Sequence, residues 1–417
     1  MKKVLTTLTL LSFTISWTFA QITPKATSYI GQDLDQSNII LTAVPFLTIP
    51  VDSRAGGMGD AGVATTPDIN SQYHNPAKYV FSKKAFGASI SYAPWLRQLV
   101  NDISLMYLAG YFKLDDHQVL SGGLRYFSLG NITFTDINAQ TIGDYKPNEF
   151  ALSVGYSRIM ADNLSAAVVL RYINSNLTQG QYVENMPTHP GRSVASDIAV
   201  YYHKDIEIQK KNALVTAGMN ISNIGAKISY SESGEKEFLP TMLRLGSALE
   251  VELDQYNKIQ GTVELHKLLV PTPPYRDPNT GEILYGMDPN VSVPVGMIHS
   301  FYDAPGIQLD PENPDNRSVM KEELREINYL LGVEYWYAEQ VAFRFGYFHE
   351  PPTKGNRQYF TLGLGLKLNV FGLDFSYLIP TTQNHPLAKT LKFTLLFDFE
   401  ALAKEGKTDG TEKGKSL

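Results

Sequence analysis

The run Phe360-Thr361-Leu362-Gly363-Leu364-Gly365-Leu366-Lys367 places an apolar side chain at every second position and a small or polar one between. After a short connection at 369–370 the pattern resumes in Phe371-Gly372-Leu373-Asp374-Phe375-Ser376-Tyr377. Successive side chains of a strand point to opposite faces, so a period of two is a strand signature and not a helical one. Working outward, the same alternation recurs at 86–92, 120–126, 150–157, 164–172, 243–251, 341–347 and 391–399. It is weaker at 102–112, 194–202, 213–221, 258–267 and 327–337. The reading totals about fourteen strands of about 9–11 residues, the length a tilted strand needs to cross a bilayer.

Alternation alone leaves open which face is wet. In a soluble sandwich the apolar face looks inward; in an outer-membrane barrel it meets lipid and the polar face lines the lumen. Three features favour the barrel. Strand after strand carries its apolar stripe into a tyrosine (Tyr92, Tyr111, Tyr126, Tyr156, Tyr172, Tyr347, Tyr377), as an interfacial girdle does. The opposite face holds Gly, Ser and isolated charges, among them Arg125, Arg171, Glu250, Glu264, Arg344 and Asp374. These suit a crowded polar lumen, either as one network or as separately solvated groups. Connections also alternate in length: short at 113–117, 160–163, 254–257, 338–340 and 369–370, longer at 93–101, 127–148, 174–193, 222–240, 268–326, 350–357 and 379–387. Short turns belong to the periplasmic side and long loops to the outside. The connection at 203–212 breaks this order, being long for a short-side turn. An even strand number then puts both termini in the periplasm. The predicted fold class is all-β, a transmembrane outer-membrane antiparallel β-barrel with an N-terminal plug segment.

Composition sets further bounds. Among 417 residues there is no cysteine, which excludes disulfides, thiolate zinc sites, iron–sulfur clusters and a lipidated N-terminal Cys. The formal net charge of -6 disfavours a nucleic-acid partner, which calls for a basic field. Met1-Lys2-Lys3, the uncharged apolar run to Phe19 and the small residues Thr18 and Ala20 read as a signal peptide over 1–20, cut before Gln21. Residues 21–84 follow as an N-terminal segment and plug, with Asp52, Arg54, Gly57, Gly59, Asn75 and Pro76 as its candidate residues. Residues 85–400 are the barrel, with a long extracellular loop at 268–326, and the charged stretch 401–417 reads as a disordered periplasmic tail.

Motifs for chemistry are few. Gly57-Met58-Gly59-Asp60-Ala61-Gly62 matches G-x-G-x-x-G, but Thr65-Thr66-Pro67 interrupts any following helix and Val80-Phe81 stands where an acid is needed. A tight glycine bend is the better reading. The histidines are scattered, and Asp310, Glu312 and Asp315 lack EF-hand spacing and read as a solvated acidic loop. Ser318 with Glu322 and Glu323 reads as the start of a short helix leading into the strand at Ile327. No nucleophile–base constellation emerges, so the expectation is a non-enzymatic protein with no cofactor and no metal.

Several stretches carry a resemblance: TAVPFLTIPVDSRAGGMGDAGVAT at 42–65, HNPAKYVF at 74–81, VNDISL at 100–105, LRYFSLGNITF at 124–134, PNEFAL at 147–152, KLLVPTPP at 267–274 and FRFGYFHE at 343–350. They resemble the PorV family, outer-membrane barrel components of the type IX secretion system of Bacteroidota, whose broader relatives are FadL-like barrels. The resemblance implies fourteen strands with an N-terminal plug. It implies partners too: the translocon barrel, secreted proteins with C-terminal signal domains, a sortase-like attachment complex and outer-membrane lipid. The implied role is to bind cargo by its signal domain, collect it from the translocon and deliver it for attachment at the cell surface. The alternative is a FadL-like transporter of hydrophobic small molecules. Prolines stiffen the start of the long loop and lower the entropy lost on docking, so within 268–277 the expected partner contacts are Leu268, Leu269, Val270, Pro271, Thr272, Pro273 and Pro274.

Overall fold

The computed structural model describes residues 37–397 apart from 98–99, 101, 136–137, 139, 181, 184–185, 232–235, 311, 369 and 384. The signal-peptide reading of 1–20 and the tail reading of 401–417 lie outside the described residues. Two single-turn α-helices, α1 (Ser53–Gly56) and α2 (Ser71–His74), and 3-10 turns at Pro45–Thr48 and Pro76–Phe81 precede the sheet. The strands are β1 (Phe86–Pro94), β2 (Ser104–Lys113), β3 (Gln118–Ser128), β4 (Asn148–Ala161), β5 (Leu164–Asn176), β6 (Gly191–Ile208), β7 (Lys211–Gly225), β8 (Met242–Glu252), β9 (Asn257–Leu268), β10 (Ile327–Tyr337), β11 (Val341–His349), β12 (Gln358–Lys367), β13 (Phe371–Pro380) and β14 (Leu391–Phe397). Each pairs antiparallel with its neighbours in this order, and β1 pairs with β14 from Ala88↔Phe397 to Tyr92↔Phe393 to close a barrel. Closure leaves no edge, so the strand backbone is hydrogen-bonded without water, the condition for a sheet to cross hydrocarbon. Among the described residues no helix is long and apolar enough to cross a membrane.

The two faces sort as the alternation predicts. In β3, Leu120, Leu124 and Tyr126 are exposed while Ser121 and Arg125 are buried. In β12 and β13, Leu362, Leu364, Leu366, Phe371 and Tyr377 face out and Thr361, Asp374 and Ser376 face in. A belt of exposed Leu, Val and Phe around a closed sheet is a lipid-facing surface. Tyr92, Tyr126, Tyr172, Tyr329 and Tyr377 are exposed toward the long-loop ends of their strands and form a girdle there. Tyr111 corrects the expectation: it points into the lumen, and its ring stacks on Tyr79 at 4.7 Å. In β2 the outward residues Met106, Leu108 and Phe112 alternate with the inward Leu105, Tyr107 and Tyr111. Both faces of that strand are apolar, and hydropathy carries no phase.

The connection expected at 203–212 needs correcting too. β6 runs to Ile208 and β7 starts at Lys211, which leaves Gln209-Lys210 as a two-residue turn with φ of 50° and 65°. Two positive φ values give the hairpin turn whose twist matches that of its strands. His203, Lys204, Asp205 and Glu207 interrupt the apolar stripe while the ladder continues, so the greasy alternation fades before the strand ends. Connection lengths then alternate throughout, with the short turns at one end of the barrel. The longest connection, between β9 and β10, is itself folded. It holds two hairpins (Tyr275–Arg276 with Ile283–Tyr285, and Ile307–Asp310 with Asn313–Ser318) and helices α3 (Val293–His299) and α4 (Val319–Arg325). Ser318 caps α4, its hydroxyl accepting from Lys321 N at 3.4 Å.

Candidate functional site in the lumen and at the base of the long loop

Residues 43–82 bond to inward-facing groups of strands on all sides of the barrel, which places them in the lumen. Arg125 of β3 donates to the carbonyls of Phe46 and Leu47 at 3.0 and 2.9 Å. Ser157 of β4 and Ser165 of β5 donate to the carbonyls of Pro76 and Ala77 at 2.8 and 2.6 Å. Thr216 of β7 donates to Ala64 O at 2.6 Å, and Arg244 of β8 to Tyr73 O at 2.9 Å. Glu264 of β9 accepts from Gly62 N and Val63 N at 2.7 and 2.9 Å, and Thr394 of β14 from Ser53 N at 2.9 Å. Irregular backbone at membrane depth needs such partners, and here the wall supplies them. Within the segment, Asp52 caps α1 by accepting from Ala55 N at 2.9 Å and joins His74 Nε2 at 2.7 Å, tying α1 to α2. Asn75 donates to Val63 O and Val200 O at 3.0 and 2.9 Å and accepts from Ala77 N at 3.1 Å.

Charge locks the segment to the wall. Arg54 in α1 donates to Glu334 of β10 through Nε at 3.0 Å and Nη2 at 2.7 Å, and to Asp68 at 2.9 Å. Glu334 is wholly buried and also accepts from Arg344 Nε of β11 at 2.8 Å; Arg344 in turn reaches Asp374 of β13 at 2.7 Å. Elsewhere Asp60 meets Lys392 at 2.5 Å and Tyr359 Oη at 2.6 Å. Arg171 forks onto Asp197 at 2.9 and 2.7 Å where the β6–β7 register shifts between Ser196 and Ile198. The charges expected in the lumen therefore fall into separate clusters. Arg344 and Asp374 share one, Arg171 and Asp197 another, and Arg125 serves carbonyls. Sequence reasoning missed Glu334 and Asp197, although counting in twos from the outward Leu331 and Val333 puts Glu334 inside; Lys392, set by the alternation opposite Leu391 and Phe393, is buried in the lumen.

The glycine motif is a packing device. Gly59 has φ 68°, and a β-carbon on it would lie 2.7 Å from Tyr347 O. A β-carbon on Gly346, opposite, would lie 1.9 Å from Gly59 N, and one on Gly57 2.9 Å from Gly363 Cα. Glycines of the segment thus lie flat against glycines of β11 and β12. Toward the long loops, Phe46, Leu47 and Val51 pack with Leu105, Phe127 and Ile173 of the wall. The Tyr73 ring sits 4.3 Å from the Arg125 guanidinium and 4.5 Å from that of Arg244. Toward the short turns a cavity of about 830 Å³ remains, lined by Phe81, Trp336 and Phe371 but also by Arg54, Asp68 and Glu250.

The stretch expected to contact partners is mostly interior. Leu269, Val270, Pro271 and Thr272 are buried; only Leu268, Pro273 and Pro274 are half-exposed. Leu269 N bonds Thr241 O at 2.8 Å, and α3 packs through Gly296 on Phe238 and Pro271. Thr272 donates its hydroxyl to Glu326 at 2.8 Å and its N–H to Asp303 at 3.2 Å. Lys267 pairs with Glu323 and Glu326 at 3.0 and 2.7 Å, and Lys354, in the β11–β12 connection, with Glu322 and Glu326 at 2.7 and 2.9 Å. The prolines stiffen an internal strap that fastens the long loop to the barrel rim.

Burial pushes the Asp303 carboxyl above its ordinary value, against the hydrogen bonds from Thr272. Burial, and then Glu326, do the same to Glu323, against Lys267. A carboxyl raised in the folded state holds a proton that the opened loop releases. The stability it contributes is full at acidic pH and is lost as pH rises through the folded value. Amide exchange at Leu269 and Ala304, corrected for intrinsic rate, is therefore expected to be faster at neutral than at mildly acidic pH. The opposite trend would show that the ion pairs dominate.

Residues 32–275 match the family described as Type IX secretion system protein PorV. No curated protein matches the sequence. Among solved structures the chain is similar to the toluene transporter TodX of Pseudomonas putida (11% identity, 82% of this chain and 95% of that one, TM-score 0.43). It is also similar to the toluene transporter TbuX of Ralstonia pickettii (9% identity, 83% and 97%, TM-score 0.42). A third is a FadL homologue of Pseudomonas aeruginosa (11% identity, 87% and 100%, TM-score 0.40).

Proposed function

The chain belongs to the PorV family of type IX secretion system proteins and is an outer-membrane β-barrel component of that system; on that premise we propose that it binds secreted cargo by the cargo's C-terminal signal domain, collects it from the translocon barrel and delivers it to the sortase-like attachment complex. The role is non-enzymatic. Residues 43–82 act as the plug, both termini lie in the periplasm and the long loops face outward. What carries this reading beyond family membership is the packing of 43–82 across the lumen, bonded from β3 at Phe46 to β14 at Ser53. A barrel filled in this way offers its rim and loops to a protein rather than its interior to a solute. Contact by the long loop falls on Pro273, Pro274 and the exposed hairpins beyond them, since Leu269 to Thr272 are covered.

The cavity below the plug favours the second reading, a transporter of hydrophobic small molecules. Its wall of Arg54, Asp68, Glu250 and Asp374 is poorly matched to such a solute. Deleting the protein is expected to leave exported cargo in the periplasm or released unattached. Normal surface display in the deletion strain, with loss of uptake of a hydrophobic solute, would overturn the cargo reading in favour of the transporter.

A further inference from the structure

Helix α4 is inside out. It buries Glu322 and Glu323 (4% and 6% exposed) and presents Met320 and Leu324 (69% and 51% exposed) one turn apart on its outer side. A helix washed by water has the reverse arrangement. The end of α3 repeats the feature, with Ile298 and the following Phe301 exposed while Gly296 is buried. These surfaces lie over the outside of the barrel wall. Lys267 shares the outward phase of β9 with Val263 and Leu265, which are lipid-belt residues, yet it is buried. Glu323 and Glu326 of the loop hold its ammonium, and the Phe301 ring lies 5.8 Å from it. α4 then leads directly into β10, where Tyr329, Leu331 and Val333 continue the belt. The apolar face is thus continuous with the lipid-facing surface at its long-loop rim. Lys321 is exposed and Arg325 half-exposed beside it, while the neighbouring carboxylates turn inward.

We propose that this α3–α4 face is a lipid-contact site. Met320, Leu324, Ile298 and Phe301 enter the boundary between acyl chains and headgroups, and Lys321 and Arg325 meet anionic headgroup oxygens. The site holds the long loop down against the membrane plane. It rests on the barrel being embedded in a bilayer and is independent of the cargo reading.

The chain has no cysteine, so single cysteines report without background. Full-length Met320→Cys, Leu324→Cys and Ile298→Cys proteins, each carrying an environment-sensitive fluorophore, are reconstituted into phosphatidylethanolamine–phosphatidylglycerol vesicles. A trace of nitroxide-labelled phospholipid serves as lipid quencher and iodide as aqueous quencher. Leu331→Cys in the belt and Glu282→Cys at the exposed hairpin set the two limits. Quenching by lipid nitroxide at 298, 320 and 324 is expected to approach that at 331 and to exceed that at 282 several-fold, with iodide giving the reverse order. Quenching by iodide to the level of 282 overturns the proposal. So does exclusion of both quenchers from 298, 320 and 324, which would show the face covered by protein. Lys321→Gln with Arg325→Gln, still folded by heat-modifiable migration, is expected to lower lipid quenching at 324 in phosphatidylglycerol-containing vesicles and not in pure phosphatidylcholine. An equal effect in both removes the role given to the two cations.

Discussion

Gly346→Ala is expected to drive the N-terminal segment out of the lumen or to stop the barrel closing around it. A single methyl on a strand interior is ordinarily mild. Here it would sit 1.9 Å from Gly59 N and 2.2 Å from Met58 C, which are backbone atoms with no rotamer to yield. The backbone at 58–59 is itself pinned, because Gly59 N donates to Thr361 Oγ1 at 2.8 Å and Asp60 is held by Lys392 and Tyr359. Any retreat that relieves the clash also pulls at the Arg54–Glu334 fork. Overpacking costs about 1–3 kcal/mol in a core that can adjust. With those hydrogen bonds and ion pairs broken as well, the total reaches about 5 kcal/mol, the range reserved for severe lesions. The measurement is ion current in planar bilayers alongside heat-modifiable migration. If the segment leaves and the wall survives, Gly346→Ala passes current well above wild type; if closure fails, the folded band disappears. Gly261→Ala, where a β-carbon meets nothing within 4 Å, is the matched control and is expected to behave as wild type. A Gly346→Ala protein with wild-type migration and current would refute the account of the glycine contact.

The barrel was legible because lipid imposes one demand on every strand, and that demand is local in sequence. Phe360 to Leu366 displays it without help from any other residue. Where the environment stops being lipid, the pattern stops informing. At Tyr111 the lumen is lined by the N-terminal segment's own aromatic Tyr79, so an inward tyrosine looks like a girdle tyrosine. At 203–208 four polar residues break the greasy phase although the ladder continues to Ile208. The lumen was half legible. Arg344 and Asp374 announce themselves as charges on an inward phase, but their link runs through Glu334 to Arg54, 280 positions away in sequence, and no spacing rule reaches that far. The long loop was least legible. Lys267 lies on the outward phase of β9, and only the fold of α4 back over the wall shows why it is covered and why Leu269 to Thr272 after it are interior.

Glu334→Ala is expected to be the most damaging of the charge deletions. The carboxylate serves two guanidiniums at once, Arg54 from the N-terminal segment and Arg344 from the wall, and all three side chains are nearly or wholly buried. Its removal leaves Arg54 with Asp68 and Arg344 with Asp374, but brings two like charges together without the anion that separated them. Removing one partner of a buried pair costs about 3–5 kcal/mol, most of it the penalty of the uncompensated charge. The pair Lys258–Glu339, with side chains 22% and 55% exposed, has nearly the same length, 2.8 Å against 2.7 Å, yet solvent screening limits a surface pair to about 0–1 kcal/mol. Distance is therefore not the predictor; burial is. Barrels of this size unfold irreversibly, so the readout is the rate of loss of the folded band on heating in detergent. Glu334→Ala is expected to accelerate that loss strongly and Glu339→Ala barely. Arg54→Met together with Glu334→Leu is expected to be milder than Glu334→Ala alone, because it withdraws one stranded cation along with the anion. If instead the double variant is worse than the single one by the full cost of Arg54→Met, the two residues act independently, and the ionic lock between segment and wall does not exist.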